Sequence, residues 1–203
     1  MVDTVRRHGL SYPLHIAQIF LIILTVFTFA YLVILIVPSL TPATHIPMYV
    51  ITVLLFSSYT FVTTRLMLTD PSSTVVNGAQ IPCDLYCEIC AKPTLLNSIH
   101  CKYCNKCVMD LDHHCFYYNT CIGSQNYSMF ISSIVLGALY SLLVTTLTLY
   151  CSVKWETFDF MIGSLSSRSF LILNLCIGIL TSIIACFQIW LICLHMYLRI
   201  SDF

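Results

Sequence analysis

Charged residues divide this chain into long apolar stretches and short polar ones. No Asp, Glu, Lys or Arg occurs between Arg7 and Arg65, between Asp112 and Lys154, or between Arg168 and Arg199. A helix rises about 1.5 Å per residue, so about 20 residues cross a hydrocarbon core about 30 Å thick. The first stretch is long enough for two crossings. Pro38, Pro42 and Pro47 divide it, because proline lacks the N–H that continues a helix. The pattern predicts membrane-spanning helices over 14–37, 48–68, 128–153 and 169–198. Arg6 and Arg7 precede the first apolar run as in a signal peptide, but the run from Leu14 to Val37 far exceeds the roughly 7–15 residues of such a segment. It is expected to be a retained anchor.

Composition sharpens this picture. Hydrophobic residues make up 58% of the 203 residues and charged ones only 9%, against roughly a quarter charged in an ordinary soluble domain. That excludes both a typical soluble globule and a disordered chain. The nine Lys and Arg balance the nine Asp and Glu. Such a chain has no broad basic field, so nucleic acid is excluded as a partner.

The basic residues are unevenly placed. Arg6, Arg7, Arg65, Lys92, Lys102, Lys106 and Arg199 fall on one side of the predicted spans, and only Lys154 and Arg168 on the other. The positive-inside rule then puts both termini and the 69–127 loop in the cytosol. The 39–47 and 154–168 loops face the lumen or the outside. The chain is expected to be a multi-pass protein of the endomembrane system, Golgi or endoplasmic reticulum.

Orientation decides what the twelve cysteines mean. Cytosolic Cys-x2-Cys pairs point to metal or redox chemistry rather than to disulfides. Cys151, Cys176, Cys186 and Cys193 lie in or beside apolar spans and are expected to act as small hydrophobes. The other eight lie in the 69–127 loop: Cys83, and seven in the run Cys87-x2-Cys90-x9-His100-Cys101-x2-Cys104-x2-Cys107-x4-Asp112-His113-His114-Cys115-x5-Cys121. Zinc prefers four N or S ligands in a tetrahedron. Without Cys115, the run still offers six cysteines and, counting one of the adjacent His113 and His114, two histidines, enough for two closed Cys3His sites. The loop has few large aliphatics, so metal must supply the stability that a core would otherwise give. Spacing allows both sequential and interleaved sharing of these ligands between two ions. In an extended segment, adjacent side chains point to opposite faces. If His114 faces a metal, His113 faces away with Cys115, as a base beside a nucleophile.

This run, extended through Asn126 to Phe130, resembles the DHHC-type protein S-acyltransferases, membrane enzymes that place palmitate on cytosolic cysteines of other proteins. Span count and the position of the loop match as well. Asp70-Pro71-Ser72 is similar to the family's Asp-Pro-Gly motif, with serine for glycine. The resemblance implies an all-α integral membrane protein: four transmembrane helices with a cytosolic, zinc-bound cysteine-rich domain between helices 2 and 3. The segments would be 1–68, 69–127 and 128–203. It implies one zinc on Cys87, Cys90, His100 and Cys107, and another on Cys101, Cys104, His114 and Cys121. Cys115 would be the acyl-accepting nucleophile, His113 its base, and Asp112 the group orienting the imidazole. Cys83 has no place in the motif and is expected to be a packing residue. The family's Pro-Trp after the nucleophile is Phe116-Tyr117 here, and Thr120 stands where a second asparagine is usual, though Asn119 is kept. The family's Thr-Thr-x-Glu motif would fall after Phe203.

The implied activity is transfer of a long-chain acyl group from palmitoyl-CoA, or another acyl-CoA, to cytosolic or membrane proteins with juxtamembrane cysteines. It would run through a thioester on Cys115. Each Cys3His zinc site carries one net negative charge, so thiol activation falls to His113 and Asp112. Ser132, Ser133, Gly137 and Ala138 would either make room for the acyl chain or pack helices closely. Phe116, Tyr117, Tyr118, Tyr127 and Phe130 are expected at the membrane interface, and Lys102 and Lys106 are candidates to meet CoA. Two other readings compete: a non-catalytic scaffold built on the same zinc fold, and a RING-type ubiquitin ligase. The latter needs a ligand ladder ending in a Cys-x2-Cys pair, whereas Cys107 and Cys121 stand apart.

Overall fold

The computed structural model describes residues 5–72, 85–154 and 167–201. Four helices in it are long and apolar enough to cross a membrane: Ile16–Ser39, Pro42–Leu68, Tyr127–Val153 and Arg168–Ile200, whose apolar 18-residue stretches have mean hydropathies of 3.0, 1.6, 2.0 and 2.5. The chain is mainly helical, but the cysteine-rich loop is not. It forms six short strands, so the expectation of an all-α chain holds for the spans only.

Helix α1 (Ile16–Tyr31) runs into a π-helical turn over Leu32–Ile36 and a 3-10 turn over Val37–Ser39. The change of register precedes Pro38, which has no N–H for the carbonyl four residues back. The Val37 N–H bonds instead to the Leu32 carbonyl. Helix α2 (Pro42–Leu68) keeps Pro47 inside it, so the break expected over 38–47 is much shorter. Pro42 stands at the first helical position, where its missing N–H costs nothing. Pro47 forfeits one bond close to the end of a long helix. Helices α3 (Tyr127–Val153) and α4 (Ser167–Ser201) complete the set.

Between α2 and α3, three antiparallel hairpins follow one another: β1 (Leu85–Cys87) with β2 (Lys92–Thr94), β3 (Ser98–Cys101) with β4 (Lys106–Met109), and β5 (His113–Cys115) with β6 (Thr120–Ile122). Each turn ends on a residue with positive φ: Ala91 at 50°, Asn105 at 51° and Asn119 at 53°. Lone two-stranded hairpins are marginal in water, so something beyond the ladders must hold them.

The chain divides into two compact units. One comprises residues 1–23 and 61–132, the other residues 24–60 and 133–203. In the second unit, Tyr31, Leu32, Ile36, Tyr140, Val144, Leu147, Cys151, Phe170 and Ile177 form the core. Several of its buried polar side chains are paired: Tyr31 donates to Asn174 Oδ1 at 2.9 Å, Thr28 and Tyr140 share a hydrogen bond at 3.1 Å, and Thr145 and Thr181 one at 2.8 Å. A Cβ on Gly137 would lie 2.6 Å from Gln188 Nε2 and 3.1 Å from Tyr59. Gly137 therefore serves close helix packing, and Ala138 and Ser133 are buried with it. Ser132 is exposed and does not share that face.

In the first unit, the segment before α1 is tied to the hairpins. Arg6 N–H donates to the Cys104 carbonyl at 3.0 Å, Lys106 Nζ to the Arg7 carbonyl at 3.0 Å, and Asn119 Nδ2 to the Gly9 carbonyl at 3.2 Å. Gly9 has no room for a side chain, since a Cβ there would run into the Tyr118 carbonyl and the Met67 backbone.

Candidate active site and metal clusters

The hairpins bring the eight sequence-derived ligand residues into two groups. Cys87, Cys90, His100 and Cys107 form one, and Cys101, Cys104, His114 and Cys121 the other; within each group the ligand atoms all lie within 4.8 Å of one another. The grouping is interleaved. Each Cys-x2-Cys turn offers two sulfurs, and the next hairpin supplies the other two donors from residues directly opposite across its ladder: His100 opposite Cys107, and His114 opposite Cys121.

The spacings suit a tetrahedral ion. Zinc bonds of about 2.3 Å to sulfur and about 2.0–2.1 Å to nitrogen put tetrahedral ligands roughly 3.6–3.8 Å apart. In the first group, the sulfur of Cys90 lies 3.2 Å from His100 Nδ1 and 3.7 Å from Cys107, and Cys87 lies 3.8 Å from the same nitrogen. In the second, His114 Nδ1 is 3.8, 3.3 and 3.7 Å from the sulfurs of Cys101, Cys104 and Cys121. Thiols this close cannot all ionise by themselves. Hydrogen bonds from Cys104 and Cys121 hold the Cys101 thiol far below its usual range, and the same contacts raise Cys104 to about 11 and push Cys121 higher still. A cation among them removes that conflict. Each group could hold a metal ion.

A fourteen-residue period underlies both groups. Cys-x2-Cys-x9-His-x6-Cys starts at Cys87 and again at Cys101, and the positive-φ residues Ala91, Asn105 and Asn119 keep the same step. One further step places Cys115 at the start of the third hairpin's turn, with Tyr118 where a second cysteine would be. Cys115 thus stands at a ligand-like position with no partners among the described residues to complete a site. This repeat is legible in the sequence as a fixed fourteen-residue step.

The third hairpin has two faces. His114 and Cys121 share the face of the second Cys3His group, whereas His113, Cys115, Thr120 and Ile122 share the other by strand alternation. His113 Nδ1 lies 3.6 Å from Asp112 Oδ2, an ion-pair distance, and the Cys115 sulfur is a hydrogen-bond partner of the ring. Burial disfavours the imidazolium, but Asp112 and Cys115 outweigh it, so the His113 pKa rises to about 9. Phe130, 1% exposed, packs its ring 5.2 Å from that of His113 in an edge-to-face contact. Phe130 and Tyr118 are buried rather than exposed as interfacial rings, and Tyr127 is half-buried. Phe116 and Tyr117 remain exposed, with Phe116 stacked on His15, ring centroids 4.7 Å apart, one residue before α1.

The model of the DHHC palmitoyltransferase family matches residues 82–202, well over half of the chain. The chain belongs to the DHHC palmitoyltransferase family. None of the curated proteins compared with it matches. Members of this family are protein S-acyltransferases whose cysteine-rich domains are zinc fingers, and the two Cys3His groups are consistent with that chemistry.

Two lysines considered for CoA in this DHHC domain differ sharply. Lys106 is 5% exposed and paired with Asp70 at 2.6 Å, so its charge is already committed. Burial would raise the Asp70 carboxyl, but hydrogen bonds from Lys106 and Ser72 hold it below its usual range. The Asp-Pro segment is thereby anchored beside Cys107, with Ser72 bridging to Val108. Lys102 is exposed over the ring of Tyr103, 5.1 Å from its centroid. Cys83 lies outside the described residues, as does most of the 154–168 loop.

Proposed function

We propose that this chain is a protein-cysteine S-palmitoyltransferase that moves a long-chain acyl group from acyl-CoA to cytosolic protein cysteines through a thioester on Cys115. The observation that carries the reading is the divided third hairpin. His114 turns toward a Cys3His group, and its neighbour His113 turns toward Cys115 with Asp112 beside it. A thiol is mostly protonated at neutral pH, so the nucleophile needs a base. His113 takes the Cys115 proton while Asp112 holds the imidazole. The acyl group leaves CoA for Cys115, and His113 then serves the incoming cysteine of the protein substrate in the same way. Thioester exchange is nearly isoenergetic, so positioning matters more than driving force.

The donor sets suit two zinc ions per chain, on Cys87, Cys90, His100 and Cys107 and on Cys101, Cys104, His114 and Cys121. Their role is structural: they fix the hairpins that carry His113 and Cys115. The basic-residue asymmetry supports both termini and the zinc domain in the cytosol; the membrane is read as that of the Golgi or endoplasmic reticulum. Substrates would be proteins with cysteines near that membrane face. A sixteen-carbon acyl chain gains about 0.8 kcal/mol per buried methylene, a reason for building the enzyme into a bilayer.

The test is to incubate the purified full chain with labelled palmitoyl-CoA. The wild type should acquire a label that neutral hydroxylamine releases, and Cys115→Ser should not. His113→Ala should slow labelling by about 10²–10⁴-fold, and Asp112→Asn should slow it while keeping zinc. A folded, zinc-loaded wild type that never labels would leave the scaffold reading in its place.

A further inference from the structure

Thr120 stands directly opposite Cys115 in the β5–β6 ladder. Directly opposed residues point to the same face with Cβ atoms about 4.5–5.5 Å apart, so the threonine side chain shares the face of the sulfur. It is 1% exposed, and its hydroxyl oxygen is buried with no hydrogen-bond partner. A buried hydroxyl left unpaired in a folded protein calls for a reason. Several threonines in the spans avoid that cost by bonding a carbonyl of their own helix, as Thr148 does to Val144 at 2.8 Å. The strand position of Thr120 provides no such carbonyl.

We propose that the Thr120 hydroxyl is an oxyanion donor of this enzyme, held unspent until the acyl group arrives; the inference rests on Cys115 being the nucleophile. As His113 takes the thiol proton, the sulfur lone pair forms a bond to the carbonyl carbon of acyl-CoA, and the carbonyl π pair moves onto oxygen. That oxygen is two bonds from the Cys115 sulfur, within reach of a hydroxyl on the opposed residue. Thr120 Oγ1–H donates to it. The oxyanion then re-forms the carbonyl, the bond to the CoA sulfur breaks, and the departing CoA thiolate takes the proton from His113. The same donor serves the second transfer, where the incoming cysteine attacks and Cys115 leaves. A donor already aimed where charge develops needs no reorganisation during the reaction, and losing one typically costs about 10²–10³-fold in rate. The asparagine usual at this position in the family also carries a side-chain donor, so threonine keeps the capability in a shorter side chain.

The test compares two reactions of Cys115 in the purified full chain, with zinc content measured throughout. Acylation by palmitoyl-CoA passes through an oxyanion, whereas alkylation by iodoacetamide does not. Thr120→Val, which keeps the branched shape and removes the donor, should slow formation of the hydroxylamine-sensitive thioester about 10²-fold or more and leave the alkylation rate unchanged. Thr120→Ser and Thr120→Asn should both acylate within a few-fold of wild type. If Thr120→Val loses zinc, Thr120→Ala makes the same comparison. Equal slowing of acylation and alkylation would reduce Thr120 to a packing residue, and unchanged acylation would remove it from the mechanism. A wild type that alkylates but never acylates would instead overturn the proposed function itself.

Discussion

His114 stands across the β5–β6 ladder from Cys121, while its neighbour His113 stands across from Ile122. One residue of register therefore separates two groups of side chains. The strand period of two sends successive side chains to opposite faces, so a single short hairpin presents donors to a Cys3His group on one side and the His113–Cys115 pair on the other. A register slip of one residue would exchange them. Asn126 secures the register at the far end: its Oδ1 accepts from the Gly123 N–H at 3.0 Å, and its Nδ2 donates to the Cys121 carbonyl at 2.9 Å.

The first prediction separates metal from nucleophile. Cys101→Ala removes one corner of a Cys3His group and should lose close to one zinc per chain, together with much of the fold of the hairpins. Cys115→Ser should retain two. Elemental analysis of the purified variants decides this, and a lost ion in Cys115→Ser would mean that the ligands have been misassigned.

The second concerns the Lys106–Asp70 pair, whose partners are unequally buried: 6% of the lysine side chain is exposed against 44% of the aspartate. Removing the carboxylate strands a buried ammonium, and removing the ammonium strands only a half-open carboxylate. Asp70→Ala should therefore destabilise the chain by about 3 kcal/mol, the low end of the cost of an uncompensated buried charge. Lys106→Met should cost clearly less. Thermal unfolding in detergent ranks the two, and equal losses would contradict the argument.

Topology yields the third. The structure leaves little chain between Ser39 and Pro42, so the informative insertion point is the 154–168 loop. A glycosylation tag with flexible flanks placed there should be modified, and tags at either terminus should not. A modified terminus would reverse the orientation and put the cysteine-rich hairpins on the wrong side for cytosolic substrates.

Much of this protein is legible in one dimension. Charge-free stretches long enough to cross a bilayer mark four spans, because helix length and hydropathy are properties of contiguous residues. The donor types in the 87–121 run announce metal chemistry for the same reason, and alternation along an extended segment already separates His113 from His114. Other features depend on which distant residues meet. Spacing left open whether Cys101 and Cys104 join Cys107 or His114; the tertiary structure decided, because each turn meets the ladder of the next hairpin. Pro47 suggested a break, yet a long helix tolerates it near its start. Lys106 looked like an exposed cation until the Asp70 segment folded over it. Thr120 looked like a substituted asparagine and nothing more. Its buried, unpaired hydroxyl facing Cys115 exists only once β5 and β6 are paired, since a cross-strand neighbour is made by register and not by sequence distance.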